Sequence, residues 1–130
     1  MDIVLSALMM VFQSDKPSEP IFALLLHQEK AFTEGETAMR AARVQEYTEW
    51  ARSLNREGKL VAGEKLRDDG WVVTVRENRA AMAAELPGVG GGVAGYFVIR
   101  AANYAEAAKV AQTCPHIKYG GKILIRQIEH

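Results

Sequence analysis

Apolar and polar positions divide the chain into a strongly apolar start, a polar connection and a longer patterned region. Residues 1–12 (MDIVLSALMMVF) are the most apolar stretch, and residues 14–20 are polar and hold two prolines. The apolar stretch is shorter than the about 20 residues that a membrane span needs, and Asp2 is atypical of a signal peptide. We expect residues 1–19 to be an apolar extension and linker, packed on its own domain or on another subunit, and residues 20–130 to be one domain.

The first part of this domain predicts a strand followed by an amphipathic helix. Residues 21–27 (IFALLLH) form an apolar run typical of a central strand. Thr33 and Glu36 form a capping box, and the helix is predicted to end near Arg56, before Gly58. Its buried stripe is expected to consist of residues at three- and four-residue spacing, namely Val44, Tyr47, Trp50, Ala51 and Leu54.

The second part predicts a hairpin and then another strand–helix–strand unit. Residues 59–66 and 71–76 are predicted strands that an Asp69-Gly70 turn joins, so we expect them to pair with each other. The Ala-rich residues 77–86 indicate a helical turn. Three further elements complete the order: a strand at residues 96–100, a helix at 103–114 and a last strand at 122–128. The helix begins at the Asn103–Glu106 capping box and ends before Pro115.

This order predicts an α+β fold of the ferredoxin-like βαββαβ type, with an extra β-hairpin and both helices on one face of an antiparallel sheet. The other face of such a sheet needs polar residues or a partner. Ile123, Leu124 and Ile125 are consecutive and apolar, so both faces of the last strand are expected to be buried. We therefore expect a homodimer, or a higher homo-oligomer, joined face to face through the sheets.

Composition narrows the class of protein. The chain has 130 residues, with 16 basic and 16 acidic side chains, so nothing in its charge favours nucleic acid as a partner. A single cysteine excludes an internal disulfide framework and a multi-cysteine zinc site. We expect a cytoplasmic protein that binds neither nucleic acid nor membrane.

A small group of residues could carry chemistry. His27 ends the first predicted strand, where an imidazole could act as acid or base, so it is the candidate catalytic residue. Tyr47 and Arg126, with Tyr96 as a further candidate, could bind a small acidic or phenolic ligand, because a guanidinium pairs well with a carboxylate. The alternative is that His27 has no role, that Tyr47 belongs to the core, and that Arg126 pairs with Glu129 or solvent.

Two other motifs give weaker indications of function. Residues 90–95 (GGGVAG) match G-x-G-x-x-G, but a strand rather than a helix follows, so a connection or lid over a cleft is expected instead of a nucleotide site. Cys114, His116 and His130 lack a recognised ligand spacing, so we expect no metal and no cofactor. Cys114 is expected to be a small buried hydrophobic residue.

Several short pieces resemble one known family in their order and spacing. They are FALLLHQ at 22–28, Trp50, EGKL at 57–60, GEKL at 63–66, AGYFVI at 94–99, AEAAKVAQTCP at 105–115 and GGKILIRQI at 120–128. Over about residues 20–130 the chain resembles the YCII-related family, in particular its DGPF-domain branch. The resemblance implies a ferredoxin-like fold, a dimeric α+β barrel, a small cleft near the sheet and a bacterial source, since DGPF proteins often accompany bacterial sigma factors.

The resemblance also has departures that bear on activity. A histidine and aspartate pair is the proposed catalytic pair of some members, but the family's helix histidine would fall near Tyr47. A tyrosine, with an ordinary pKa near 10, is a poor base at neutral pH. Residues 83–92 (AAELPGVGGG) replace the Asp-Gly-Pro-Phe motif. We therefore expect a small-molecule-binding or regulatory module; the alternative is an enzyme acting on a small acidic or aromatic metabolite, with His27 as acid or base.

Overall fold

The computed structural model describes residues 19–28, 39–75, 77, 82–85 and 92–129. Within these ranges the chain forms six strands and three helices. In chain order they are β1 (Ile21–Gln28), α1 (Arg40–Arg56), β2 (Leu60–Lys65), β3 (Trp71–Thr74), β4 (Met82–Glu85), β5 (Gly92–Arg100), α2 (Tyr104–Gln112), α3 (Pro115–Lys118) and β6 (Lys122–Gln127).

The main sheet has four antiparallel strands in the order β2-β5-β1-β6. The two strands that follow helices, β2 and β6, therefore lie at the edges, and β1 and β5 lie at the centre. This is the strand order of a ferredoxin-like βαββαβ fold, which confirms the predicted α+β class. One residue of β5 is inserted opposite the end of β1, since Leu26 faces Gly95 and His27 faces Val93.

The extra hairpin exists, but its partners differ from those predicted. β3 pairs with β4 in a separate two-stranded sheet, with Trp71 opposite Glu85, while β2 pairs with β5. The predicted pairing of residues 59–66 with 71–76 is therefore wrong, and so is the helical turn where it covers residues 82–85. Alanine has a high helix propensity, but propensity differences are small, and pairing with a strand of β-branched residues overrides that preference.

The apolar core of the described residues lies between the main sheet and the helices. Alternate residues of β1 face it and are buried, whereas the residues between them are half-buried on the opposite face. Each large side chain removed from water contributes about 1.5–3 kcal/mol. The buried core residues are Phe22, Leu24, Leu26, Leu54, Ile99, Ala101, Ala107, Val110, Ala111 and Cys114.

The helix ends follow local signals. The α1 helix ends at Arg56, and Gly58 adopts a φ of +74°, a left-handed conformation that glycine accepts without strain. The predicted beginning of this helix at Thr33 lies outside the described residues. The Asn103 half of the second capping box is confirmed, because the side-chain oxygen of Asn103 accepts a hydrogen bond of 2.9 Å from the Glu106 N–H. Pro115 does not simply end a helix but begins the short α3.

The opposite face of the sheet carries apolar residues as well. Ile123 and Ile125 pack against the core, whereas Leu124, which points the other way, is 45% exposed. Among the described residues, only one face of β6 is thus covered, and the homodimer stays a prediction. The N-terminal extension lies outside the described residues. Among the helices that the structure describes, none is both long enough and apolar enough to cross a membrane.

Candidate functional site

A cleft of about 500 Å³ opens between α1 and one end of the main sheet. This end is formed where β1 and β2 finish and where β5 and β6 begin. Its volume lies within the range of about 300–1,000 Å³ that small-molecule sites occupy. The apolar part of its lining comes from Leu26, Val44, Ala51 and Phe97.

Two glycines leave room for the rings that border this cleft. A Cβ at Gly63 would lie 2.5 Å from Cδ1 of Phe97, whose ring packs edge-on against Trp50 at a centroid distance of 4.9 Å. A Cβ at Gly121 would lie closer than 3.0 Å to the ring of His116. Both distances are far below ordinary contact, so the absence of a side chain at these positions lets the Phe97 and His116 rings lie against the sheet.

His116 joins α1 to the sheet through its two ring nitrogens. Its Nδ1 lies 3.1 Å from the hydroxyl of Tyr47, and its Nε2 lies 2.9 Å from the main-chain carbonyl oxygen of His27. The ring is 6% exposed, and it is the buried polar side chain of the described core. Because a carbonyl only accepts, Nε2 carries the proton; in a neutral ring Nδ1 then accepts, and the Tyr47 hydroxyl donates to it.

Burial keeps the Tyr47 phenol protonated. Desolvation, opposed in part by the nearby Arg43, raises the pKa of Tyr47 to about 12. Burial likewise raises the pKa of the Cys114 thiol, which lies in the core beside this site, to about 11. Tyr47 therefore acts at neutral pH as a hydrogen-bonding group rather than as a base, as its residue type predicted.

The charged side chains that line the cleft are mostly basic. Of the described lining residues, Arg43, Lys65 and Lys122 are basic and Glu64 is acidic. Burial, and then the neighbouring Arg40, lower the pKa of Lys65, so an anion beside it would relieve both penalties. The cleft thus favours a ligand that carries negative charge.

A polar cluster holds Arg43 at the edge of the cleft. Its guanidinium carbon lies 4.0 Å from the centroid of the Tyr119 ring, a cation–π contact. The hydroxyl of Tyr119 donates to Glu46, and Nζ of Lys118 lies 3.2 Å from the same carboxylate. The Tyr119 hydrogen bond is the main cause that lowers the pKa of Glu46, so this carboxylate is charged and already engaged. The cluster orients Arg43 along the face of an aromatic ring.

The structure brings together three of the four residues that sequence patterns singled out. His27, Tyr47 and Tyr96 border the cleft, but Arg126 does not occur among its described lining residues. Arg126 lies opposite Ala23, further along β6. Tyr96 precedes Phe97, whose ring contacts Trp50, so strand alternation places the Tyr96 ring on the other face and leaves its main chain at the cleft.

His27 contributes to the cleft through its main chain. Its carbonyl oxygen accepts the hydrogen bond from His116. The Nδ1 atom of its own ring is buried and, within the part of the chain that the structure describes, makes no hydrogen bond. Trp50, a predicted core residue, packs on Phe97 and donates from Nε1 to the hydroxyl of Thr113 at 2.8 Å.

Sequence reasoning missed three residues of this site: His116, Arg43 and Lys65. His116 was considered only as a metal ligand, and the described residues contain no group of His, Cys, Asp or Glu that could hold a metal ion. The signal for it was the Gly120-Gly121 pair four residues later. A glycine turn followed by a strand leaves space above the first strand residues, and a preceding ring can fill that space.

The chain matches a known protein family over most of its length. A family model described as the YCII-related domain matches residues 21–129. No curated protein matches the chain significantly. The matched segment begins with β1 and ends just after β6, so it contains every element that borders the cleft.

Proposed function

The chain belongs to the YCII-related domain family, and from this premise we propose that it binds a small anionic molecule in the cleft beside α1. The observation that carries the proposal is the lining of the cleft, which combines apolar side chains, three basic side chains and a half-buried Tyr47–His116 pair. A binding site needs this combination, because apolar surface provides affinity and a few fixed polar groups provide orientation.

The ligand that suits this lining is an acid with an apolar or aromatic body. Arg43 and Lys65 carry donors only, so each can satisfy the oxygens of a carboxylate. Phe97 and Leu26 supply flat and aliphatic surface for the body of the molecule. A cation of the same shape would meet Arg43, Lys65 and Lys122 with like charge, which costs binding free energy when the groups are partly desolvated.

Isothermal titration calorimetry with sodium benzoate and with benzylamine tests this directly. These probes have similar rings and opposite charges. We expect benzoate to bind and benzylamine not to bind. We expect Lys65→Met to weaken benzoate binding by about tenfold, the order that a charge-assisted hydrogen bond supplies. The matched control is Lys109→Met, because Lys109 is exposed on α2, away from the cleft. Equal binding of both probes would refute the proposal.

The Nδ1 of His27, which is buried and has no hydrogen-bond partner among the described residues, favours a second candidate function. In this candidate the protein is an enzyme acting on a small acidic or aromatic metabolite, with His27 as acid or base. The test is conversion of a panel of aromatic and hydroxy acids, followed by NMR, with wild type and His27→Gln. Conversion that His27→Gln abolishes while binding persists would support it; binding without conversion would leave the binding function alone.

We also propose that two copies assemble through the open face of the main sheet. The partly exposed Leu124 on that face supports this arrangement, because large apolar side chains are seldom left in water in contiguous patches. Light scattering on Leu124→Lys is the test, with Ile117→Lys as the control, since Ile117 is 42% exposed on α3. We expect Leu124→Lys to be monomeric and the control to keep the wild-type mass. A wild-type mass for both variants would refute the assembly.

A further inference from the structure

The direction of the hydrogen bonds around His116 determines what Tyr47 can offer a ligand. The carbonyl oxygen of His27 has no proton to give, so Nε2 of His116 donates to it over 2.9 Å. In the neutral ring Nδ1 must then accept, and it accepts from Tyr47 over 3.1 Å. A phenol has a single proton, and this contact uses it. The oxygen of Tyr47 therefore presents only lone pairs to the cleft.

A lone pair that a bound ligand shields from water has to be met by a donor from that ligand. When a ligand displaces water from Tyr47, an ether, ketone or carboxylate oxygen would place lone pair against lone pair. A hydroxyl group instead donates to Tyr47 and replaces the lost water. Leaving a buried acceptor unpaired costs more than an average hydrogen bond contributes, so this position discriminates strongly between the two kinds of ligand.

The basic residues of the cleft have the opposite requirement. Arg43 and Lys65 carry donors and no acceptor, so they select the acidic end of a ligand. Tyr47 and Arg43 are four residues apart on α1 and therefore lie on the same face of that helix. One ligand of modest size can meet both requirements, with its charge toward Arg43 and its hydroxyl toward Tyr47.

We propose that the cleft selects small hydroxy acids, in which a carboxylate pairs with the basic residues and a hydroxyl group donates to the oxygen of Tyr47. This inference rests on the proposed binding of an anion and adds the second recognition element. His116 is then a positioning residue. It sets the direction of the Tyr47 hydroxyl, and both of its own ring nitrogens are already hydrogen-bonded within the protein.

The experiment compares three probes that share a carboxylate and an aromatic ring. They are 4-hydroxybenzoate, 4-methoxybenzoate and benzoate, with the 3-substituted acids as a second series. Calorimetric titrations are run at about pH 8. We expect the better hydroxy acid to bind about tenfold more tightly than its methoxy analogue and also more tightly than benzoate. The benzoate arm excludes a purely steric preference, since benzoate is smaller than either analogue.

Two tyrosine variants locate the discrimination. Tyr47→Phe removes the acceptor and keeps the ring, so we expect the ratio between hydroxy and methoxy acids to fall close to one. The matched control is Tyr104→Phe, because the Tyr104 hydroxyl accepts a hydrogen bond from the Gln127 N–H at 2.9 Å, outside the cleft. We expect this control to keep the wild-type ratio.

The outcomes separate this inference from the proposed function. If all three acids bind wild type equally, or if the methoxy acid binds best, anion binding stands and hydroxyl selection is refuted. Hydroxyl preference that survives in Tyr47→Phe would also refute it, because another group would then read the hydroxyl. If none of the acids binds wild type, both the proposed function and this inference are refuted.

Discussion

Replacing Gly121 by alanine is the sharpest single test of how the cleft is built. The new Cβ would lie closer than 3.0 Å to three atoms of the His116 ring. Unstrained carbon contacts lie at about 3.5–4.0 Å, so the ring would have to retreat by about 1 Å. The ring is not the free end of a flexible chain, because hydrogen bonds hold both of its nitrogens.

The magnitude follows from the contacts that such a retreat would break. Overpacking in a well-packed region costs about 1–3 kcal/mol. Hydrogen bonds of 3.1 Å and 2.9 Å would lengthen beyond useful geometry, and each contributes about 0.5–1.5 kcal/mol to stability. We therefore expect Gly121→Ala to lower the free energy of unfolding by about 2–6 kcal/mol, a large part of the about 5–15 kcal/mol that holds a domain together.

Urea denaturation followed by circular dichroism measures this loss. The control is Gly120→Ala, at the preceding residue, where a Cβ meets nothing within 4 Å but the φ of +82° strains any other side chain. That strain costs roughly 1–2 kcal/mol. If Gly121→Ala were no less stable than Gly120→Ala, the packing of His116 over Gly121 would be disproved. If Gly121→Ala remains folded, it should also lose hydroxy-acid binding.

Three further predictions concern the core and the helix ends. Trp50→Phe should lower stability by about 1–2 kcal/mol in urea denaturation, because Thr113 loses its 2.8 Å donor and a half-buried ring shrinks. Trp71→Phe, at a side chain that is 66% exposed, should change the stability by less than about 0.5 kcal/mol. Asn103→Ala should cost about 1 kcal/mol in the same assay, since it removes the cap of α2, and an unchanged midpoint would contradict the cap. Burial raises the pKa of the Cys114 thiol to about 11. The neutral thiol therefore contributes its full stabilisation to the fold at pH values below the ordinary thiol pKa, and this contribution is lost as the pH rises toward 11. The Cys114 thiol should therefore react with Ellman's reagent only in denaturant at neutral pH, and prompt reaction of the native protein would contradict its burial.

The main sheet could be predicted because its strands obey simple alternation and its helices carry local capping signals. The run at residues 21–27 is apolar enough to be a central strand, and the Asn103 cap is read from two residues. The partners of β2 could not be predicted in this way. An Asp-Gly pair indicates a turn but does not determine which strands pair with each other. β2 pairs with β5 instead, where Gly63 leaves room for the ring of Phe97.

The site was predictable only in part, because it depends on contacts between distant residues. Tyr47 and His27 were found from their types and their places on a helix and a strand. His116 is 69 residues from Tyr47 in the chain, and only the folded sheet brings the two within hydrogen-bonding distance. Arg126 was chosen because it lies on the last predicted strand and its guanidinium could pair with a carboxylate, but the cleft opens at the other end of β6, beside Lys122.

The role of the His27 carbonyl has a consequence for how the site tolerates change over evolution. Since every amino acid supplies the same main-chain oxygen, many side chains at position 27 would leave the partner of His116 in place. Replacing His27 by alanine would thus leave the hydrogen bond between the main-chain oxygen and His116 unchanged. Aligned relatives could vary here while the chain of Tyr47, His116 and the strand end stays intact. Covariation between 47 and 116 is the trace that such a site would leave in a family of sequences.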